Sequence, residues 1–241
     1  MPDFNSRKEA LLREKIRYNM ELTITPEEKE KLKTSMPIQQ IIGFVQMDNL
    51  KFIISDDKVL IPRYETEEVI NSALDFLDSN SVVLDMCSGS GFIGLTIFDK
   101  KKCFVTMVDN DPNAISKIKL NQKVNNIYSN KIEIIESDLF KNLDVNKKYD
   151  LIISNPPYIP KNVLLDESVT LWENENALFA EDEGNYFYKR IIEDGKKFLK
   201  KNGIMIFEIS PWNLTFFKNL KMNIEVIKDI NNKERIVIIK Q

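Results

Sequence analysis

The sequence predicts an α/β fold, a mostly parallel sheet covered by helices on both faces. Two observations predict it. Beyond residue 80, short apolar runs bounded by turns alternate with longer stretches of helical periodicity, the pattern that builds parallel sheets. The central runs, Val82-Val83-Leu84 and Leu151-Ile152-Ile153 among them, are apolar throughout, as strands buried on both faces are. Such folds bind ligands at the carboxyl ends of their strands, so those ends are where chemistry is expected.

Taken in order, Ser6-Arg7-Lys8-Glu9 has capping-box spacing and opens a helix with Leu11, Leu12 and Ile16 on one side. Thr25-Pro26-Glu27-Glu28 repeats the signal with proline at the first helical position, and that helix is expected to end near Met36-Pro37. Residues 1–36 thus form a short helical segment, too small to bury a core alone, that packs on the main domain or on a partner. Residues 37–60 read as a linker and a hairpin across Asp48-Asn49. The main domain spans 61–241. It opens with a helix whose first turn carries Glu65, Glu67 and Glu68, favourable to the helix dipole, and whose apolar face is Val69, Ile70, Ala73, Leu74 and Leu77. Strands follow at 82–84, 104–108, 132–135, 151–153 and 204–207, with helices at 92–98, from Asp111-Pro112 onward, at 187–199 and at 214–220. The helix at 187–199 is expected to stop before Asn202-Gly203. Runs at 224–227 and 236–239 form an antiparallel pair across Asn231-Asn232.

A length of 241 residues accommodates one sizeable domain and a small appendage. The net charge of −3 gives no global drive toward nucleic acid, and the first sixty residues hold ten basic and ten acidic side chains, so no basic arm exists there. The absence of histidine, with Cys87 and Cys103 far apart, excludes the usual zinc sites and Ser–His or Cys–His nucleophiles. Met1-Pro2-Asp3-Phe4-Asn5 has no apolar signal core and no run is long enough to span a membrane, so a cytoplasmic location is expected.

The most informative stretch is Asn155-Pro156-Pro157-Tyr158, directly after the buried run ending at Ser154. Each proline holds the residue before it extended and lacks an N–H, so the corner presents carbonyl acceptors, to which Asn155 adds one from its side chain. Rigid acceptors beside an aromatic face suit a planar –NH2 group, an amide or an exocyclic base amine. A plain surface turn is the competing reading. Upstream, Asp85-Met86-Cys87-Ser88-Gly89-Ser90-Gly91 closes one strand and opens a helix, and Gly89 and Gly91 let the backbone approach a ligand. The spacing of Gly89, Gly91 and Gly94 matches the dinucleotide-binding pattern, but Asp85 would repel a pyrophosphate and suits a cationic ligand bearing an amino group and a sulfonium. Asp109 ends the next strand, where an acid can accept both hydroxyls of a ribose. Asp138, in Ser137-Asp138-Leu139, ends the third and can take an adenine amine. Each feature alone has a bland alternative as a turn, a cap or a solvated acid. Four successive strand ends carrying them in order do not. The acids of the later loop, Glu173, Glu175, Glu181, Asp182 and Glu183, read mostly as a solvated face.

These motifs resemble those of class I S-adenosylmethionine-dependent methyltransferases. More narrowly, the chain from Pro37 onward resembles the HemK/PrmC family of peptide chain release factor glutamine methyltransferases, through Leu60-Ile61-Pro62-Arg63-Tyr64-Glu65-Thr66-Glu67, Asp85 to Gly91, Val108-Asp109, Asp138-Leu139-Phe140 and Ser154-Asn155-Pro156-Pro157-Tyr158-Ile159, and more loosely through Glu173 to Leu178 and Lys233-Glu234-Arg235-Ile236. The resemblance implies a Rossmann-like seven-stranded sheet. It implies S-adenosylmethionine across Asp85, Cys87, Ser88, Gly89, Ser90 and Gly91, with its ribose on Asp109, its adenine near Asp138 and Leu139, and its methyl toward Asn155. Asn155, Pro156 and Tyr158 become the catalytic corner. With Pro157 and Arg63 they bind the substrate, a glutamine in the Gly-Gly-Gln motif of a release factor. No metal, no nucleic-acid partner and no membrane are implied. The chain departs from the family at Cys87, where glycine is usual, at Tyr64, where a second proline is usual, and in its shorter N-terminal helical region. The alternatives are a methyltransferase of exocyclic amines in DNA or RNA, which shares Asn-Pro-Pro-Tyr, and a catalytically silent cofactor-binding adaptor.

Overall fold

The computed structural model describes residues 3–54 and 58–240; residues 55–57 of the predicted linker and the two chain ends lie outside it. Helix α1 (Phe4–Arg17) starts before the expected Ser6 box because Asp3 is the N-cap, accepting from the backbone N–H groups of Asn5 and Ser6 and from the Ser6 hydroxyl. Helix α2 (Pro26–Lys31) has the predicted capping box of Thr25 and Glu28 in both halves. It stops well short of Met36. The Thr34 hydroxyl donates to the Lys31 carbonyl at 2.7 Å, closing the helix end with a side chain. Ile38–Ile42, expected to be linker, is a third helix, α3, ended by Gly43 at φ 87°. Leu11, Leu32, Met36, Ile41 and Ile42 bury their side chains together as a small separate core.

Strands β1 (Phe44–Met47) and β2 (Leu50–Ile53) form the predicted hairpin across Asp48-Asn49, and Val45, Met47, Leu50 and Phe52 are buried in the main core. The chain then runs through α4 (Tyr64–Leu74), β3 (Val82–Met86), α5 (Phe92–Lys101), β4 (Phe104–Asp109), α6 (Pro112–Val124), β5 (Ile132–Glu136) and β6 (Tyr149–Ser154). A covering segment follows, with β7 (Ile159–Pro160), α7 (Glu167–Thr170), α8 (Glu175–Leu178) and β8 (Phe179–Ala180). The remainder is α9 (Tyr186–Gly195), β9 (Leu199–Glu208), α10 (Leu214–Lys218), β10 (Asn223–Lys228) and β11 (Glu234–Lys240).

The main sheet has seven strands in the order β10-β11-β9-β6-β3-β4-β5. Strands β3, β4, β5, β6 and β9 are parallel, and β11 is antiparallel to both β9 and β10. Alternate residues of each strand feed opposite faces: Leu151 and Ile153 join the core under α4, α5 and α6, and Ile152 the core under α9 and α10. Because β4 lies on one side of β3 and β6 on the other, their connections diverge and open a crevice at the carboxyl edge.

A further boundary differs from expectation. Helix α9 ends at Gly195, and Asn202-Gly203 lies inside β9. There the pairing with β6 slips from Tyr149↔Leu199 to Leu151↔Ile204, with Asn202 at φ 69°. The turn-forming pair makes a bulge in a strand instead of a helix stop.

Candidate active site

The glycine loop grows directly out of β3. Cys87, Gly89 and Gly91 all have positive φ (61°, 54° and 81°), which explains why glycine is the easier residue at the first of these positions. Gly94 serves packing: a Cβ there would lie 2.5 Å from Met107 Cγ. Ser88 and Ser90 shape the loop from behind. The Ser88 hydroxyl donates to the Asp85 carbonyl (2.8 Å) and accepts from the Val108 N–H (2.9 Å), and the Ser90 carbonyl accepts from Asn121 Nδ2 (2.9 Å). Asp85 is fully buried beneath the loop. Its Oδ2 accepts from the Gly94 N–H at 2.9 Å, whereas Oδ1 has no partner. Burial pushes this carboxyl up to about 7, against the pull of the Gly94 N–H.

A cavity of about 660 Å³ lies at the carboxyl edge, and Cys87, Gly89, Asp109, Asp138, Leu139, Asn155 and Pro157 line it. Asp109 is fixed by two backbone donors, Gly89 N–H to Oδ2 (2.8 Å) and Asp111 N–H to Oδ1 (3.0 Å). Each oxygen keeps further acceptor capacity for a ligand. Burial raises its carboxyl while these N–H bonds oppose the rise. Asp138 sits at the rim, half-exposed, in an ion pair with Arg190 at 3.0 Å. A Cβ added at Gly89 would meet no protein atom within 4 Å, so a side chain there would project into open space beside the loop. An orphaned buried carboxylate oxygen, a doubly anchored acid and an open glycine edge together fit S-adenosylmethionine, with Asp85 toward its cationic end and Asp109 toward its ribose.

The Asn-Pro-Pro-Tyr corner follows β6, and Asn155 reaches the cavity. Its Nδ2 donates to Thr66 Oγ1 (3.3 Å), whose hydroxyl donates to Glu208 Oε2 (2.6 Å). Tyr158, expected as a wall of the pocket, points its hydroxyl to Glu208 Oε1 at 3.3 Å and is not among the lining residues. Burial and the Glu208 charge push that phenol far up, so it is a donor at any working pH. Asp85, Ser88, Ser90, Gly91, Pro156 and Arg63 also lie outside the lining, Asp85 because it is buried beneath the glycine loop. Arg63 is instead engaged with the Ile61 carbonyl (2.9 Å) and with Glu173. Glu173 itself is buried, not part of a solvated face, because Arg63 pairs with it.

That pair belongs to a three-sided fastening of the covering segment. Ser35 and Gln40 hold Trp172, through its indole N–H (3.2 Å) and its carbonyl (3.0 Å). Asn174 donates to the Lys58 carbonyl (2.8 Å) and to Asp111 Oδ2 (3.2 Å). Asn174, Ala177, Phe179 and Ala180 thereby wall the cavity. The N-terminal helices also reach the main domain through Tyr64, which hydrogen-bonds Arg17 and lies under its guanidinium at 5.3 Å. Glu208 was missed by sequence reasoning, though it stands as an acid at the carboxyl end of a predicted strand, and so were the contacts of Thr66, Trp172 and Asn174, although Thr66 lies in the Leu60–Glu67 stretch that carries the family resemblance.

Fold and site together define a methyltransferase built on a mostly parallel seven-stranded sheet. Residues 67–171 match the Methyltransferase small domain family. The fold is that of a methyltransferase from Pyrococcus furiosus (TM-score 0.59, 16% identity, 80% of this chain and 90% of that one). It is also that of a T. Thermophilus 16S rRNA methyltransferase solved with AdoMet and guanosine (TM-score 0.58, 11% identity, 82% and 49%). Sequence similarity is narrower. A release factor glutamine methyltransferase of Fusobacterium nucleatum is 34% identical over 246 residues, covering 94% of this chain and 68% of that protein. One of Clostridium acetobutylicum is 33% identical, covering 86% and 75%. The chain belongs to the release factor glutamine methyltransferase family.

Proposed function

We propose that this protein transfers a methyl group from S-adenosylmethionine to the side-chain amide nitrogen of a glutamine, in the Gly-Gly-Gln motif of a peptide chain release factor, in the cytoplasm. The observation that carries the reading is the Asn155 amide at the cavity, with its Nδ2 turned toward Thr66 and its Oδ1 left to accept. An amide nitrogen is a weak nucleophile because its lone pair is delocalised, so alignment and charge stabilisation are the tasks of the site. Asn155 Oδ1 accepts from the glutamine –NH2 and holds the nitrogen in line. When bound, S-adenosylmethionine supplies an electrophilic methyl on a sulfonium. Taking up the methyl would break its bond to the sulfonium sulfur, leaving a neutral thioether, and the nitrogen would give up one proton to solvent through the open cavity. Asp85, Asp109 and the Cys87–Gly91 loop hold the cofactor, and Asp138 and Leu139 border its adenine. Two flanking glycines let the substrate tip enter without side-chain bulk.

The charge around the cavity disfavours the nucleic-acid alternative. Asp109, Asp111, Asp138 and Glu181 outnumber Lys58 and Lys161 among its lining residues, the reverse of what a phosphate backbone requires. The test uses labelled S-adenosylmethionine with intact release factor, the factor with its Gly-Gly-Gln glutamine changed to alanine, and duplex DNA. Label in the intact factor alone is expected. Equal label in the altered factor, or preferential label in DNA, overturns the reading.

A further inference from the structure

Glu208 is a buried acid that the methyl-transfer scheme does not use. It ends β9 only 2% exposed, where an apolar residue would avoid the desolvation of a carboxylate. Burial pushes its carboxyl up, while the Thr66 hydroxyl, Arg235 and the Tyr158 hydroxyl pull the other way. Its Oε2 lies 2.6 Å from Thr66 Oγ1, the length of a hydroxyl-to-carboxylate hydrogen bond. Its Oε1 is 3.3 Å from the Tyr158 hydroxyl. The residue is therefore wired to both ends of the acceptor corner, to Tyr158 directly and to Asn155 through Thr66.

The direction of this wiring has a consequence. The Thr66 hydroxyl donates to Glu208 Oε2, so its single proton is committed there. Thr66 Oγ1 then offers only lone pairs to Asn155. Of the two ends of the Asn155 amide, only the –NH2 end can satisfy that, and the contact is Nδ2 to Oγ1 at 3.3 Å. Without the carboxylate the Thr66 hydroxyl could turn and donate, and the amide could reverse, presenting N–H groups to a substrate that itself brings N–H groups. We propose that Thr66 and Glu208 are positioning residues that fix which end of the Asn155 amide faces the methyl acceptor, through the directed chain Asn155 Nδ2–H to Thr66 Oγ1–H to Glu208 Oε2. This rests on the reading of Asn155 as the acceptor-holding residue, and it assigns roles to an α4 side chain and a β9 side chain that lie outside the Asn-Pro-Pro-Tyr stretch.

Two variants of Thr66 separate this role from packing. Thr66→Val keeps the β-branched shape and removes the hydroxyl, and Thr66→Ser keeps the hydroxyl and removes a methyl. Thr66→Val is expected to lower the single-turnover rate on release factor by about 10- to 100-fold, the range for a misaligned reacting group. Its cofactor Kd is expected to stay within about 3-fold, below the tenfold that 1.4 kcal/mol would give. Thr66→Ser is expected to retain most of the rate. Thr66→Val added to Glu208→Leu is expected to be no slower than Glu208→Leu alone, since both break one chain and the Tyr158 contact is already lost there. Equal rates in the Val and Ser variants, or multiplying losses in the double variant, overturn the relay. A readout independent of turnover is the side-chain amide of Asn155 in 15N NMR of the intact protein, assigned by loss of the signal in Asn155→Ala. The amide protons are expected to move upfield in Thr66→Val and to hold in Thr66→Ser; unmoved protons in Thr66→Val refute the chain. A wild-type protein that ignores release factor yet shows this pattern would sink the substrate reading and leave the relay standing.

Discussion

Replacing Asp109 by alanine should weaken S-adenosylmethionine binding by two to three orders of magnitude, and the structure shows how the figure arises. The carboxylate is held from behind by the N–H groups of Gly89 and Asp111, at 2.8 and 3.0 Å, so its remaining acceptor capacity turns to the cavity without any rearrangement. Two hydrogen bonds from a ribose to an ionised acceptor contribute about 1.5–3 kcal/mol each. Their loss is softened because water enters an open cavity and re-solvates the exposed N–H groups, so about 3–4 kcal/mol remains, or roughly 100- to 1,000-fold. Asp109→Asn is not a silent control. Whichever way its amide is turned, Nδ2 meets the N–H of Gly89 or that of Asp111, so a loss of at least about tenfold is expected. Titration calorimetry at fixed pH measures both, with thermal unfolding of the apo variants to establish that they fold. An unchanged cofactor affinity in folded Asp109→Ala refutes the placement of the ribose. A drop no larger than that of Asp138→Ala would do the same, since Asp138 already has Arg190 as its partner.

Asn155→Ala is expected to reduce methylation of release factor by at least about 100-fold while cofactor affinity changes little, because its contacts mature only in the transition state; near-normal turnover would reduce the corner to scaffold. Cofactor affinity is expected to fall as pH drops below about 7, as Asp85 takes up a proton and loses its attraction for a cationic group, and Asp85→Asn should flatten that profile. The same raised carboxyl makes apo stability decline as pH climbs from about 4 to about 7, since the folded state binds the proton more tightly than the unfolded chain; urea unfolding across that range should show the decline in wild type and a shallower one in Asp85→Asn. Arg63→Ala leaves Glu173 buried without its cation and should cost about 1–3 kcal/mol, which Glu173→Gln in the same chain should partly restore; protease cutting within 161–178 at the wild-type rate in Arg63→Ala would contradict the fastening role.

What the sequence made legible was whatever depends on neighbours in the chain. The glycine loop, Asp109 and Asn155 are strand-end features, and strand ends follow from apolar runs. The Thr25–Glu28 capping box and the Asp48-Asn49 hairpin are local for the same reason. The acceptor-side network was hidden because its members are far apart in sequence: Thr66 bonds Glu208 across 142 residues and Asn155 across 89. Thr66 read as one residue of an acidic helix start, and the strand holding Glu208 was taken to end at Phe207. Glu173 read as solvated because it stands among exposed acids, and only Arg63, 110 residues upstream, makes its burial tolerable. The short helix α3 lacked any side-chain cap signal, since Pro37 precedes it and provides no capping hydrogen bond.

The chemistry of the cofactor cavity follows from an imbalance of charge at the sheet edge. Asp85 and Asp109 end β3 and β4, and burial raises both carboxyls. The like charge of Asp109 adds to the rise at Asp85, and that of Asp111 to the rise at Asp109. Backbone N–H groups anchor both, and among the described residues no cation pairs with either. Glu208, by contrast, has Arg235 in its field and is satisfied within the protein. A diphosphate placed against Asp85 and Asp109 would deepen their repulsion, although the glycines at 89, 91 and 94 have the spacing of a phosphate cradle. A ligand with an ammonium and a sulfonium would relieve it, and its hydroxyls would find acceptors on Asp109. The acids therefore decide what the glycine loop receives, and the loop's glycines act through close approach and, at Gly94, through the packing of α5 on β4.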